Sequence, residues 1–147
     1  MNMTIKQIRR WAAAVAAICL LTLFLPLYGM TAFAATARIA FSDPTASVGS
    51  EINVKMKITS SDNLSTADIM LAYDPGSLEF IEGTNAEGGN GAVRVHGDGG
   101  GANTTTLAYD LKFKASAAGT SKITVTSQEI YDASSQIVTV DKQGESQ

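Results

Sequence analysis

The residue types that most often carry chemistry in enzymes are scarce in this sequence. There is one histidine, His96, and the one cysteine, Cys19, lies inside a long apolar run near the start of the chain. Metal centres and Ser-His-Asp or Cys-His catalytic systems need several such groups held together. We therefore expect His96 to be a solvated residue at a strand end, and we expect no catalytic residue, bound metal or cofactor.

The carboxylates and one glycine-rich run give weaker signals. Paired carboxylates can hydrolyse glycosidic bonds, but a small domain with shallow sheet faces rarely encloses a sugar in a cleft. The run at 97–101 lacks the lysine and the following helix of a phosphate-binding loop. Asp98 in that run could help to bind Ca²⁺ with backbone oxygens, but a flexible hairpin tip is the better interpretation. The sequence therefore predicts a protein that is not an enzyme.

The first 34 residues have the pattern of a secretory signal peptide. Lys6, Arg9 and Arg10 precede an almost uninterrupted apolar run at 11–28. The Ala-Phe-Ala sequence at 32–34 then supplies the small-x-small pattern that a signal peptidase accepts. An uncleaved membrane anchor is the alternative, because the apolar run is near the lower limit for spanning a bilayer. We expect cleavage, and hence a secreted, extracellular or cell-surface protein that contacts a membrane only if the signal stays uncleaved.

The charge of the cleaved chain argues against a nucleic-acid partner, and its cysteine content argues against disulfides. Cleavage after residue 34 removes three of the 11 basic residues and none of the 14 acidic ones, which leaves a formal net charge of −6. An acidic domain lacks the basic surface expected of a nucleic-acid-binding protein. The cleaved chain also has no cysteine, so its fold must depend on a hydrophobic core without disulfides.

Apolar and polar residues alternate with a period of two after the signal, which is typical of strands with one buried and one solvated face. The inward positions of the clearest runs are Ile52, Val54, Met56 and Ile58; Ala67, Ile69, Leu71 and Tyr73; Leu107, Tyr109, Leu111 and Phe113; and Ile123 and Val125. Turn-forming residues at 60–63, 74–76, 87–91 and 97–103 separate strands. The sequence predicts an all-β protein with one β-sandwich of about eight or nine strands over residues 35–141, followed by a polar tail or linker at 142–147.

The outward side of the strand at 67–73 is unusual. Asp68, Met70 and Ala72 occupy positions where a solvated strand normally carries Lys, Thr or Glu. Small and apolar side chains beside one carboxylate favour a covered face or a partner surface. Neighbouring strands could extend it, and the predicted partner-binding face consists of Asp68, Met70, Arg94, His96, Ala108 and Asp110.

Several segments in combination resemble a cohesin domain, a family that shows a VGD turn, a strand ending in YDP with LE just after it, and an LxFK strand followed by AG. The corresponding segments here are VGSEINV at 48–54, ADIMLAYDPGSLEF at 67–80, LKFKA at 111–115 and AGTSKI at 118–123. The resemblance extends over about residues 37–141. It implies a nine-stranded sandwich with jelly-roll topology.

The resemblance also implies a function. Cohesins bind dockerins, which are small Ca²⁺-loaded helical modules, and so assemble polysaccharide-degrading enzymes on a scaffold or at a cell surface. The dockerin sits on the flat sheet that contains the strand at 67–73, and the family's acidic residue five positions before the Tyr of YDP corresponds to Asp68. The short, glycine-rich stretch at 83–106 departs from the family, so its loop contacts cannot be carried over.

Two other functions stay open at this point. A carbohydrate-binding module that binds polysaccharide directly has the same fold, but it usually presents coplanar exposed aromatic residues, and mainly Tyr131 is free to serve. A structural spacer in a surface protein would need no binding site at all.

Overall fold

The computed structural model describes residues 34–145, which form eight β-strands. The signal peptide predicted at 1–34 lies outside the described residues except for its last residue. The strands are β1 (Thr36–Phe41), β2 (Glu51–Tyr73), β3 (Leu78–Gly83), β4 (Ala86–Gly89), β5 (Ala92–Gly97), β6 (Thr104–Ala115), β7 (Ile123–Asp132) and β8 (Thr139–Gln143). No helix in this part of the chain is long and apolar enough to cross a membrane.

The strands fold over into two layers that share β2. Layer A has the order β3-β6-β2-β1-β8, and layer B has the order β4-β5-β2-β7. Residues 51–59 of β2 pair with β1 and β6 in layer A, and residues 64–73 pair with β5 and β7 in layer B. All pairs are antiparallel except β1 with β8. The predicted all-β sandwich is confirmed, with eight strands.

The long strand β2 replaces two strands that the sequence predicted, and the turn predicted at 60–63 is wrong. These residues continue the extended chain and bend it from one layer into the other. The pairing register shifts between Thr59 and Leu64, and Leu64 pairs with both Thr104 in layer A and Asp132 in layer B. Small polar residues at the bend bond locally, as when the Ser60 hydroxyl accepts from the Asp62 amide at 3.2 Å. They therefore bend the strand without ending it.

The core lies between the two layers and follows the predicted alternation. The layer A half of β2 contributes Val54, Met56 and Ile58 to the core, and the layer B half contributes Ile69 and Leu71. Each has a relative exposure of 1% or less, so removal of these side chains from water supplies the main driving force for folding.

Aromatic rings fill one end of this core. Phe113 in β6 packs edge-to-face against Tyr73 of layer B and Phe80 of β3, with ring centroids 5.2 and 5.4 Å apart. Such edge-to-face pairs add to the stabilisation that burial of their area provides. Tyr109 is buried farther along β6, and its hydroxyl donates to the Gly97 carbonyl at 2.7 Å. These contacts connect β6 to layer B across the core.

Two turn predictions have different outcomes. The tight turn after β2 is present, and the Asp74 carboxylate accepts hydrogen bonds from the Gly76 amide and the Ser77 hydroxyl. The loop predicted at 87–91 is wrong in part, because β4 occupies Ala86–Gly89 and pairs with β5. A Cβ on Gly88 would lie only 2.3 Å from the Ala92 carbonyl oxygen, so a glycine allows this close approach.

The end of the domain also differs from its prediction. β8 runs to Gln143 and therefore extends past the predicted boundary at residue 141. The Gly144 amide still donates to the Ile39 carbonyl at 2.8 Å, so the chain stays attached to β1 beyond the strand itself. The first residues of the predicted tail are thus part of layer A.

Candidate functional site on the outer face of layer B

The side chains of layer B that point away from the core form a continuous surface across four strands. Because register partners in antiparallel strands share a face, the pairing of β4, β5, β2 and β7 defines its rows. The rows are Glu129, Asp68 and His96; Ser127, Met70, Arg94 and Glu87; and Thr124, Ala72, Ala92 and Gly89. We call this surface the layer B face. It brings together four of the six residues predicted to bind a partner: Asp68, Met70, Arg94 and His96.

Asp68 and Arg94 form the strongest polar contact on the layer B face. The Arg94 Nε donates to Asp68 Oδ1 at 3.0 Å, and Nη2 donates to Oδ2 at 2.5 Å. The two side chains remain 36% and 49% exposed, so the pair is reachable from solvent. The hydrogen bond from Arg94 lowers the pKa of the Asp68 carboxyl, and the positive charge of Arg94 acts in the same direction. The carboxylate is therefore ionised and fixed in orientation at neutral pH.

A small apolar strip lies beside this ion pair. Met70 is the register partner of Arg94, and Ala72 pairs with Ala92 in the next row. Met70 and Ala72 are half-buried, and Ala92 is exposed. Ala72 and Ala92 leave room for the side chains of a partner to approach the strands, and Met70 supplies a flexible apolar side chain beside them.

Further polar groups border the strip and were not predicted as site residues. Glu87 lies 4.0 Å from His96, measured from Oε1 to Nε2. Glu129 accepts a hydrogen bond from the Tyr131 hydroxyl at 2.9 Å, and this bond raises the pKa of Tyr131. Charged groups thus flank the apolar strip from β4 and β7 as well as from β5.

A bulge explains why the sequence did not reveal the β7 residues of the face. Ile123 and Val125 set an alternation that would turn Ser127 and Glu129 inward if it continued. The register between β2 and β7 shifts at Thr126, whose hydroxyl donates to the Met70 carbonyl at 3.2 Å. After this extra residue the opposite set of side chains faces the core.

Ala108 and Asp110 do not belong to the layer B face, so the prediction of one six-residue face is wrong for these two positions. Both lie on β6, which pairs with the layer A half of β2. Ala108 is the register partner of Lys57, and Asp110 is the partner of Lys55, with Asp110 Oδ1 3.9 Å from Lys55 Nζ. They point outward from the opposite side of the sandwich.

The layer B face combines charged and apolar groups. They are one guanidinium, one imidazole, carboxylates and the side chains of one methionine and two alanines, spread over four strands. Among residues 34–145, no group of three or more His, Cys, Asp or Glu side chains is arranged to hold a metal ion. Ion pairs beside an apolar strip give a partner both apolar contact area and fixed charges.

The similarity of this chain to known proteins lies in its structure. No model of a protein family matches the sequence, and no curated protein matches it either. Solved structures do match. A non-cellulosomal cohesin from the archaeon Archaeoglobus fulgidus aligns with a TM-score of 0.62 and 22% identity, over 75% of this chain and 88% of that one.

Cohesins from cellulosomes match equally well. A cohesin from Acetivibrio cellulolyticus scaffoldin B, solved with a dockerin, has a TM-score of 0.62 and 19% identity over 75% of this chain and 96% of that one. A type I cohesin–dockerin complex from Clostridium thermocellum aligns with a TM-score of 0.64 and 16% identity, over 76% of this chain and 98% of that one. The described part of the chain is thus a β-sandwich. More specifically, it has the cohesin fold, as the sequence resemblance predicted.

Proposed function

We propose that this protein is a non-catalytic binding module that docks a dockerin-like protein module on the layer B face. The observation that supports this most directly is the juxtaposition of the Asp68–Arg94 ion pair with the Met70, Ala72 and Ala92 strip on one face of layer B. The sequence resemblance places the family's acidic contact residue at Asp68, on this same sheet. Several of the similar solved structures are complexes of a cohesin with a dockerin.

The physical properties of the layer B face agree with protein docking. In a protein interface, apolar contacts at the centre supply most of the affinity, and charges around them set register and specificity. Covering a lone charge is costly, but Asp68 and Arg94 already satisfy each other. A partner can therefore cover the pair without leaving an unpaired group beneath it.

Direct binding of a neutral polysaccharide is the weaker alternative. Sugar-binding sheets usually present coplanar exposed aromatic rings. Of the aromatic residues at 34–145, Tyr73, Tyr109 and Phe113 are buried in the core. Phe41, Phe80 and Tyr131 are half-buried, and Tyr131 alone borders the layer B face. A structural spacer would not require the ordered charges of this face.

The proposal includes a location. A predicted signal at 1–34 directs the protein out of the cell, where dockerin-bearing polysaccharide-degrading enzymes act. The expected setting is therefore extracellular or at the cell surface. The domain's role there is to hold other proteins together, and the partner brings any catalytic activity.

A binding screen tests the function and the site together. The full chain is used to capture proteins from the culture supernatant of its own source, with Ca²⁺ and again with a chelator. We expect dockerin-bearing proteins to be captured only with Ca²⁺, because the chelator unfolds dockerins. Asp68→Ala should reduce the capture.

Asp110→Ala is the matched control, since Asp110 is also an exposed carboxylate opposed to a cation but projects from layer A. It should leave capture unchanged. Equal capture by the Asp68→Ala protein would remove the layer B face as the site. Retention on insoluble polysaccharide with no protein partner would instead support carbohydrate binding.

A further inference from the structure

The basic residues of the described domain are concentrated on one surface. The outer face of layer A carries six of the eight: Arg38, Lys55, Lys57, Lys112, Lys114 and Lys142. Four carboxylates share this face, but Glu51, Glu79, Glu82 and Asp110 all lie beside the cations near β3 and β6, so the excess of positive charge is confined to the side of β1 and β8. The outer face of layer A is therefore electrostatically distinct from the layer B face.

Only part of this positive charge is neutralised by neighbours. Lys112 contacts Glu82 at 2.6 Å and Glu51 at 4.0 Å, and Lys55 lies 3.9 Å from Asp110. Within residues 34–145, Arg38, Lys57, Lys114 and Lys142 make no side-chain hydrogen bond or ion pair. The neutralised cations lie toward β3 and β6, and three of the four free ones lie toward β1 and β8.

The free cations at that side are close together. Arg38 in β1 and Lys142 in β8 are direct register partners, and Lys57 lies on the adjacent strand opposite Ala40. We call Arg38, Lys57 and Lys142 the basic patch. Like charges opposite each other on neighbouring strands repel, so this arrangement reduces stability unless an anion binds there. One carboxylate, Asp141, lies at the bulge in β8 beside the patch.

We propose that the basic patch is a second binding site, separate from the layer B face, and that its ligand is an acidic polysaccharide. The three cations lie on three neighbouring strands, β8, β1 and β2, so they offer a row of positive charges to a linear polyanion. Asn53, Thr59 and Thr106 point outward from the same layer and offer hydrogen bonds to sugar hydroxyls. The charges attract the polymer, and the neutral polar groups add contacts that a simple ion does not use.

Other polyanions fit the surface less well. Large apolar side chains insert into a bilayer when a protein binds a membrane surface. The exposed ones among the described residues are Val48, Ile81 and Ile137, and none of them belongs to β1, β2 or β8. Double-stranded DNA carries one negative charge per about 1.7 Å of its axis, and proteins that bind it commonly contact about 6–10 phosphates, more than the three cations of the patch can match.

Binding by such a patch should be weak per site and sensitive to salt. The cations are exposed, and contacts between exposed charges are screened over about 10 Å at 0.1 M salt. A long polymer partly compensates, because it offers many equivalent segments to one patch and links several protein molecules. Retardation of the protein in a gel that contains the polymer detects interactions of this strength.

The experiment compares the full chain with three variants in affinity gels that contain soluble polygalacturonate, an acidic probe, or neutral hydroxyethylcellulose. We expect retardation by polygalacturonate alone. It should be reduced about fivefold by Arg38→Gln/Lys57→Gln and abolished at about 0.5 M NaCl, where the screening length is a few ångströms. Lys114→Gln is the matched control, since it removes an exposed, unpaired cation of layer A outside the patch. It should bind as the unchanged chain does.

Each other outcome overturns the proposal. No retardation at low salt, equal retardation by the neutral polymer, or an unaffected double variant would show that the patch does not bind acidic glycans. Preferential binding to phosphatidylglycerol vesicles, lost in the double variant, would identify a membrane site in its place. Asp68→Ala should retain polygalacturonate binding, so failure of the dockerin proposal leaves this test intact. Thermal unfolding of each variant confirms that the fold is unchanged.

Discussion

Asp68 and Arg94 lie diagonally across β2 and β5, and two hydrogen bonds join their side chains on the outer surface of the sheet. The direct register partner of Asp68 is His96, and that of Arg94 is Met70. The ion pair therefore spans two rows and lies at the Met70 end of the apolar strip. A partner that contacts Met70 also lies next to the pair, which couples apolar contact to charge recognition.

A double-mutant cycle on this pair should show coupling in partner binding. Asp68→Ala and Arg94→Ala each leave one charge without its partner beneath the docked module. We expect each to weaken binding by about tenfold or more, which corresponds to about 1.4 kcal/mol. The double variant should lose less than the product of the two effects, because it leaves no unpaired charge. Calorimetric titration with a captured partner measures all four affinities.

The same cycle should have little effect on folding, because exposed ion pairs contribute about 0–1 kcal/mol to the free energy of unfolding. Lys55 and Asp110 provide the matched cycle on layer A, where neither binding nor stability should change. Loss of binding that is matched by loss of stability would contradict a direct role of Asp68 in docking.

The Asp68 carboxyl should titrate below the ordinary range of aspartates. Its pKa is lowered in the folded protein, mainly by the hydrogen bond from Arg94. The pair therefore adds stability above the unfolded pKa of about 3.9, and this contribution disappears as the pH falls through the lower folded pKa. Carboxyl ¹³C NMR against pH measures the shift. Arg94→Gln should move the Asp68 midpoint upward, and an unchanged midpoint would show that Arg94 does not hold the carboxylate in solution.

Alternation in the sequence was sufficient to predict which side chains of a strand point away from the core, but not which strands lie next to each other. It placed Asp68, Met70, Ala108 and Asp110 outward, and all four point outward. Strand pairing depends on long-range contacts, and a period of two contains no information about which strands meet. Ala108 and Asp110 were therefore assigned to the wrong layer, even though their burial was predicted correctly.

Local irregularities hid other parts of the structure. The polar residues at 60–63 have turn chemistry, yet they bend β2 between the layers because both of its halves remain paired. Thr126 adds one residue to β7 and reverses its inward and outward positions. Glu129 lies on the layer B face for this reason. Such bulges arise from tertiary pairing, so a pattern of residue types along one strand does not reveal them.

Two neighbouring glycines in β4 provide a test of the close approach between β4 and β5. Gly88 and Gly89 share a φ of +150°, but a Cβ on Gly88 would meet Ala92 and Val93 backbone atoms at 2.3 and 2.8 Å, and one on Gly89 would meet nothing within 4 Å. Gly88→Ala should therefore destabilise the fold by more than about 1 kcal/mol beyond Gly89→Ala, which carries the backbone strain alone. Urea denaturation of both variants measures the difference. Equal losses would show that the hairpin relaxes without cost.

The buried hydroxyl of Tyr109 should contribute both to stability and to its pH dependence. It donates to the Gly97 carbonyl at 2.7 Å, and Tyr109→Phe removes this bond while keeping the ring in the core. We expect a loss of about 0.5–1.5 kcal/mol in urea denaturation at neutral pH. Tyr131→Phe is the control, because its hydroxyl bond to Glu129 is exposed and should matter less.

Alkaline pH should then reduce the difference between the Tyr109→Phe variant and the unchanged protein. Burial raises the pKa of Tyr109, with a further contribution from the negative charge of Asp98. A raised folded pKa means that the neutral phenol stabilises the fold fully below the unfolded pKa of about 10, and that this stabilisation is lost as the pH rises toward the folded value. Stability of the unchanged protein should therefore fall above about pH 10 more steeply than that of the variant. Parallel curves would show that the Tyr109 hydroxyl ionises as readily in the folded protein as in the unfolded chain, and hence that the core at this position is open to water.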